Sequence, residues 1–465
     1  MMNLQQALAW IPSASLVGDG QTSFWRVHTD TRSLQAGDLF VALKGDNFDA
    51  HKFLAQARDK GAVAAIAQQG LLEAGLPGLE VLDPKLALGQ LAGGWRSQFS
   101  LPLIAVTGSN GKTTVTQMVS AILQAWKSTK AFATAGNLNN DIGVPLTLLR
   151  LRASHQVGVV ELGMNHPGEI AYLSALAKPA VALINNAQRE HLEFMATVEA
   201  VARENGSVLQ SLDAGGVAVF PADDDYSALW RGLAGSRRVL TFALSGPADV
   251  TASAGWNGEC WQVSAQTPSG TLEFSLHIAG RHNVKNALAA AACALAAGVP
   301  LPFIASGLSV FAAVKGRSRA VPLRLKGHTL ILIDDSYNAN PDSMHAAIEV
   351  LADLPGPRLL VMGDMGEVGN QGPQFHGEAG RHAGARGIEK FFTLGEQSQE
   401  AAAAFGGGRH FSDMAELVAA VVAELPQVGS VLVKGSRFMK MERVVQAVMA
   451  AADQTPQHEE ERHAS

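Results

Sequence analysis

From Leu101 to Val106 the chain is continuously apolar, the pattern of a strand buried on both faces. Just beyond it the period changes. Val115, Met118, Val119, Ile122, Leu123 and Trp126 recur at i, i+3, i+4, i+7 and i+8, which predicts a helix with one buried face. The same alternation of short apolar runs with helical stretches continues in both directions. Upstream it predicts a strand over Asp38–Leu43, a helix over Phe53–Lys60 and a strand over Ala62–Ile66. Downstream come strands over Val157–Leu162 and Ala180–Ile184, and a β-rich insert over Val250–His277. Four further strands, Leu330–Ile333, Arg358–Met362, Lys390–Leu394 and Ser430–Val433, are separated by helical stretches, so a doubly wound unit is expected there. The pattern predicts an α/β protein of three domains: a small N-terminal unit over 1–86, a central parallel-sheet unit over 87–319 and a Rossmann-like unit over 320–454. A polar tail over 455–465 is expected to be disordered.

Length supports that count, since 465 residues correspond to about three domains of roughly 150 residues. With 47% hydrophobic and 17% charged residues, several cores are available. The net charge of −6 argues against sequence-independent nucleic-acid binding, so an anionic ligand must be held by local cations. The longest apolar stretch, Ala287–Val299, is Ala-rich and too short to span a bilayer. Cys260 and Cys293 lack metal-type spacing and read as isolated thiols. With no signal-like segment over Met1–Pro12, they point to the cytoplasm.

The stretch joining the Leu101–Val106 strand to its helix is Thr107-Gly-Ser-Asn-Gly-Lys-Thr-Thr114. A strand, a Gly-containing loop and a helix amino end together form a phosphate cradle, because unpaired N–H groups and the helix dipole both favour an anion. Gly108 and Gly111 let the backbone approach phosphate oxygens, with Ser109, Asn110 and Thr114 completing the loop. Lys112 is placed to reach a β- or γ-phosphate, and the Thr113 hydroxyl to ligate Mg²⁺. Val106 stands where the general motif has its first glycine, so the loop is a shortened variant. A nucleoside triphosphate is the expected ligand.

Glu161 closes the strand Val157-Gly-Val-Val-Glu, and His191 follows the next predicted strand, so both are expected at the sheet edge that carries the loop. They are the candidate metal ligands beside Thr113. In Gly280-Arg-His-Asn283-Val-Lys-Asn286, the two asparagines could read an adenine edge, or one could cap the helix that starts there. Arg317, near the join of the second and third units, could close onto a γ-phosphate. Asp335 could accept from ribose hydroxyls, or sit in a solvated turn.

The ordered set of motifs resembles the ATP-dependent peptidoglycan-precursor amide ligases. It comprises Thr29-Asp-Thr-Arg32, Gly37 to Asp49, Thr107 to Thr114, Gly136-Asn-Leu-Asn-Asn-Asp-Ile-Gly-Val-Pro145, Glu161 to Glu169, His191-Leu-Glu193, Gly280 to Asn286, Asp334 to Ser343, Gly363-Asp-Met-Gly-Glu367 and Lys434-Gly-Ser-Arg437. Among those ligases, the Asp-Ser-Tyr-Asn-Ala-Asn-Pro run and the first-unit motif favour a member that joins D-alanyl-D-alanine to UDP-N-acetylmuramoyl-tripeptide. The runner-up is a ligase adding diaminopimelate or lysine. The resemblance implies a monomer with a first domain that holds the UDP end through Asp30, Thr31 and Arg32. It further implies a muramoyl-peptide surface at Asn137, Asn139 and Asn140, and a third domain that closes over ATP and helps hold the dipeptide. Lys112, Glu161, His191 and Arg317 would carry catalysis. One departure stands out: related ligases carry a lysine, carbamylated in several, at the position of Asn205.

Overall fold

The computed structural model describes residues 1–45, 47–325 and 328–453. The tail expected over 455–465 lies outside them. Three sheets organise the chain. The first has five strands in the order Ser15–Val17, Gly78–Glu80, Ala62–Ala67, Asp38–Val41, Arg26–His28, parallel apart from the edge strand Ser15–Val17. Helix Pro84–Arg96 leads out of this unit. Asp83 caps it by accepting from the N–H groups of Lys85 and Leu86, and Pro84 occupies the first turn, where its missing donor costs nothing. The boundary expected at 86/87 falls inside this helix.

The central sheet has nine strands, and Leu103–Thr107 lies between Val157–Glu161 and Val181–Ile184, parallel to both. Burial on two faces explains its unbroken apolar run. Leu103 and Ala105 join the core on one side, whereas Ile104 and Val106 join the core on the other. There they meet Val115, Met118, Val119, Ile122 and Leu123 of helix Lys112–Lys127, and the Ala-rich helix Arg281–Ala296. The expected β-rich insert is three strands, Val250–Trp256, Trp261–Thr267 and Gly270–Leu276, joined as antiparallel neighbours at the sheet edge.

The third sheet runs Arg319–Leu325, His328–Asp335, Ser430–Lys434, Arg358–Gly363, Lys390–Leu394, Arg409–Phe411. Its first two strands are antiparallel and the rest are parallel. Helices cover both faces, as the two separate cores around Ile333 and Leu332 require. Cys260 and Cys293 are both free and buried. No helix among the described residues is long and apolar enough to cross a membrane.

Candidate active site

The carboxyl edge of the central sheet faces the third unit across a cavity of about 1050 Å³. Register sets what meets there. Val106 pairs with Glu161 and Thr107 with Ile184, so the loop after Thr107, the Glu161 side chain and the segment after Ile184 leave the sheet side by side. Helix Lys112–Lys127 begins at Gly111 without any side-chain cap, and its first N–H groups are thus left for a ligand. Gly111 has φ +80°, and a Cβ there would lie 2.6 Å from both Asn185 Nδ2 and Asn286 Oδ1. Glycine is required for conformation and for space.

Lys112 Nζ donates to Gly108 O at 2.6 Å, to Ser109 O at 3.0 Å and to Glu190 Oε1 at 2.7 Å. Thr113 Oγ1 donates to Glu161 Oε1 at 3.1 Å, and Asn139 Nδ2 donates to the same oxygen at 2.7 Å. The other oxygen, Glu161 Oε2, is buried without a partner. An unpaired buried carboxylate oxygen beside a threonine hydroxyl suits a hard divalent cation. No group of three or more His, Cys, Asp or Glu converges as a metal cage among the described residues. That also fits Mg²⁺, which is held by one or two protein ligands together with phosphate oxygens and water.

His191 lines the same cavity as Thr113 and Glu161, and both of its ring nitrogens face carboxylates. Its Nδ1 lies 2.5 Å from Glu367 Oε2 and its Nε2 3.5 Å from Glu190 Oε1. Burial disfavours the imidazolium, but Glu190 and Glu367 outweigh it and raise the pKa to about 9. His191 and Glu367 both have left-handed backbone, at φ 51° and 58°, a conformation uncommon outside glycine and concentrated at functional sites.

Arg317 reaches from the join of the central and third units into the loop, where its Nη2 donates to Thr113 Oγ1 at 3.4 Å and its guanidinium stacks 4.1 Å from the Tyr337 ring centroid. Asn137, Asn139 and Asn140 line the cavity. Of these, Asn140 caps the next helical turn by accepting from Gly143 N at 2.8 Å. Asp30, Thr31 and Arg32 lie outside the cavity, on the first unit. Arg32 donates to Asp30 from both its side chain and its backbone, which lowers the Asp30 pKa to about 2.

Three further groups are held by their neighbours. Asn283 and Asn286 line the cavity, and their amides are also bonded to adjacent residues. Asn283 Nδ2 donates to Ala279 O, Asn286 Nδ2 to Asn283 Oδ1, and Asn185 Nδ2 to Asn286 Oδ1, so they brace the loop from behind. Asp335 Oδ1 accepts from Ser318 N at 2.9 Å and from Ser318 Oγ at 3.3 Å, while its Oδ2 accepts from Lys434 Nζ at 2.6 Å. Asn205 is fully buried and does not line the cavity. Its Oδ1 accepts from Thr107 Oγ1 at 2.7 Å and Gly108 N at 3.1 Å, so the amide pins the start of the loop.

The segment Asn185–Glu190 went unnoticed in the sequence. Asn110 N donates to Asn186 Oδ1, and Asn110 Nδ2 donates to Gln188 Oε1. Arg189 crosses to the third unit, donating to Asp342 Oδ1 at 2.7 Å and Glu378 Oε2 at 2.8 Å. Glu190 holds Lys112, and its Oε2 is buried and unpaired. The available signal was two consecutive asparagines directly after a strand that ends at the loop's edge.

Family models match nearly the whole arrangement: the Mur ligase family, catalytic domain over 25–96, the Mur ligase middle domain over 106–294, and the Mur ligase, glutamate ligase domain over 318–437. The chain is 44% identical to the UDP-N-acetylmuramoyl-tripeptide–D-alanyl-D-alanine ligase of Escherichia coli, with 91% of this chain and 93% of that protein covered. Identity to the same ligase of Bacillus subtilis is 33%, over 91% and 93%. Its fold superposes on crystalline MurF from Acinetobacter baumannii with a TM-score of 0.90 at 37% identity, covering 97% and 99%. On MurF ligase from Thermotoga maritima in complex with ADP the TM-score is 0.81 at 25% identity, covering 93% and 98%. The chain therefore belongs to the Mur ligase family, among the UDP-N-acetylmuramoyl-tripeptide–D-alanyl-D-alanine ligases.

Proposed function

We propose that this protein is an ATP-dependent ligase that joins D-alanyl-D-alanine to UDP-N-acetylmuramoyl-tripeptide, forming an amide bond in peptidoglycan-precursor synthesis. The observation that carries the reading is the convergence of Lys112, the Thr113–Glu161 pair and Arg317 on one uncapped helix amino end. A carboxylate attacking a triphosphate brings two anions together, and this is where cations and N–H dipoles must be concentrated.

In the first step the terminal carboxylate of the tripeptide attacks the γ-phosphorus of ATP, and the bond to ADP breaks. Lys112 and Arg317 offset charge on the transferring phosphoryl group. Thr113 and Glu161 would hold Mg²⁺, which when bound withdraws charge from the phosphate oxygens. His191 lines the same cavity and would join them through a neutral ring nitrogen. In the second step the dipeptide amine attacks the acyl phosphate, and the tetrahedral intermediate expels inorganic phosphate. Water would intercept that acyl phosphate, which gives the third unit a reason to cover the loop. Asn137 and Asn139 face the same cavity and are suited to the peptide stem, while Asp30, Thr31 and Arg32 would receive the UDP end. Mass spectrometry of the products from UDP-linked tripeptide, ATP and D-alanyl-D-alanine should give the pentapeptide adduct with one ADP per amide. ADP release without that adduct would refute the ligase reading.

A further inference from the structure

We propose that Arg437 is the residue that recognises the free carboxylate of the incoming dipeptide; the inference rests on the ligase reading of this cavity. D-Alanyl-D-alanine carries a nucleophilic amine at one end and a carboxylate at the other. The amine must stay unencumbered, so the carboxylate is the charged handle by which the dipeptide can be oriented. Six lysine and arginine side chains line the cavity. Four are committed to carboxylates: Lys112 to Glu190, Arg189 to Asp342 and Glu378, Lys285 to Asp223, and Lys434 to Asp335. Arg317 is directed at the phosphate loop through Thr113.

Arg437 remains. Its side chain is 61% exposed, and its one partner is Glu442, at the start of the next helix, which Nη1 meets at 2.8 Å. An exposed pair of this kind is weak. The other guanidinium nitrogens make no hydrogen bond among the described residues, which leaves an edge able to grip a carboxylate in the paired geometry that arginine favours.

Its distance from the chemistry also fits. The Arg437 guanidinium lies 5.6 Å from the Tyr337 ring centroid, and that of Arg317 lies 4.1 Å from the same centroid. Both guanidinium groups thus lie against one aromatic ring, no more than about 10 Å apart. An extended dipeptide spans at most about 7 Å, and a hydrogen bond of about 2.9 Å at its carboxylate extends its reach to that same scale, with its amine toward the loop. Phe438, 63% exposed and also lining the cavity, sets an apolar surface beside Arg437 where alanine methyl groups can rest.

The test compares D-alanyl-D-alanine with D-alanyl-D-alaninamide, which lacks the carboxylate, in the wild-type protein, R437A and R437K. The wild type should prefer the acid about tenfold or more in kcat/KM, as expected for loss of a charge-assisted pair. R437A should lose that preference through a raised KM for the acid, with the amide reaction, the KM for ATP and the melting temperature unchanged. R437K should keep part of it, because a lysine supplies the charge without the fork. Equal loss of acid and amide in R437A, or a wild type indifferent to the carboxylate, would overturn the assignment. No amide product from either dipeptide with wild type would overturn the ligase reading, and this assignment with it.

Discussion

Lys112 and Glu190 form an ion pair whose side chains are only 14% and 10% exposed, so neither charge can turn to water if the other is removed. In Lys112→Ala, ADP release should fall by on the order of 10²–10³. Stability should also fall, by about 1–3 kcal/mol in urea unfolding, because Glu190 is left buried with only His191, 3.5 Å away, to offset its charge. Adding Glu190→Gln should restore much of the stability and none of the activity. A stable, active Lys112→Ala protein would contradict both roles. At Gly111 the conflict is steric: Gly111→Ala forces a methyl into Asn185 and Asn286 at positive φ, and should cost about 1–3 kcal/mol together with measurable ATP binding. The loop residues were legible because their chemistry is local, a contiguous run between strand and helix. Glu190 and Glu367 were not, since their meaning comes from partners far along the chain, Lys112 for the first and His191 for the second.

Helix Pro341–Ala352 shows how an element transmits the state of a residue. Asn340 caps it in a reciprocal box with Ser343, and the same side chain exchanges hydrogen bonds with Asn110 of the phosphate loop, at 2.9 and 3.4 Å. Asn340→Ala should therefore cost about 1 kcal/mol of stability for the lost cap and, in addition, raise the KM for ATP. A change in melting temperature with an unaltered KM would separate the cap from the loop contact and deny the second. Most elements were visible in the hydrophobic pattern where burial is two-sided and unbroken, as in Val157–Glu161 and Lys390–Leu394. Strand Arg319–Leu325 was not. It lies at the edge of its sheet, carries Pro322 and two arginines, and buries only Leu323 and Leu325, so nothing in its pattern marks it. Asn205 was read for its position in a family pattern, whereas its physical work is to pin Thr107 and Gly108 from a neighbouring helix.

Across the whole molecule, the cavity exists only because the third unit lies against the central one. Arg189 is the clearest link, tied to Asp342 and Glu378 with about a quarter of each side chain exposed. The Asn110–Asn340 and His191–Glu367 contacts lie in the same seam. Arg189→Ala should loosen this seam without touching the phosphate loop. We expect kcat to fall by about tenfold or more, matching the loss of one or two charge-assisted bonds, with a larger radius of gyration in small-angle scattering. An unchanged radius and unchanged kcat would deny the link a role. Three sheets and their order of chemistry could be anticipated from the chain, because parallel α/β units announce themselves in alternating runs. How they meet could not, since the seam is written in single polar residues spread from Asn110 to Glu378.

The central claim is that a carboxyl group is activated by taking phosphate from ATP at the Lys112–Thr113 loop. It is tested most directly by supplying UDP-linked tripeptide with ¹⁸O in its terminal carboxylate and analysing the inorganic phosphate released on ligation. The account predicts one labelled oxygen in each phosphate, transferred when the acyl phosphate collapses. Unlabelled phosphate alongside normal amide formation would contradict it.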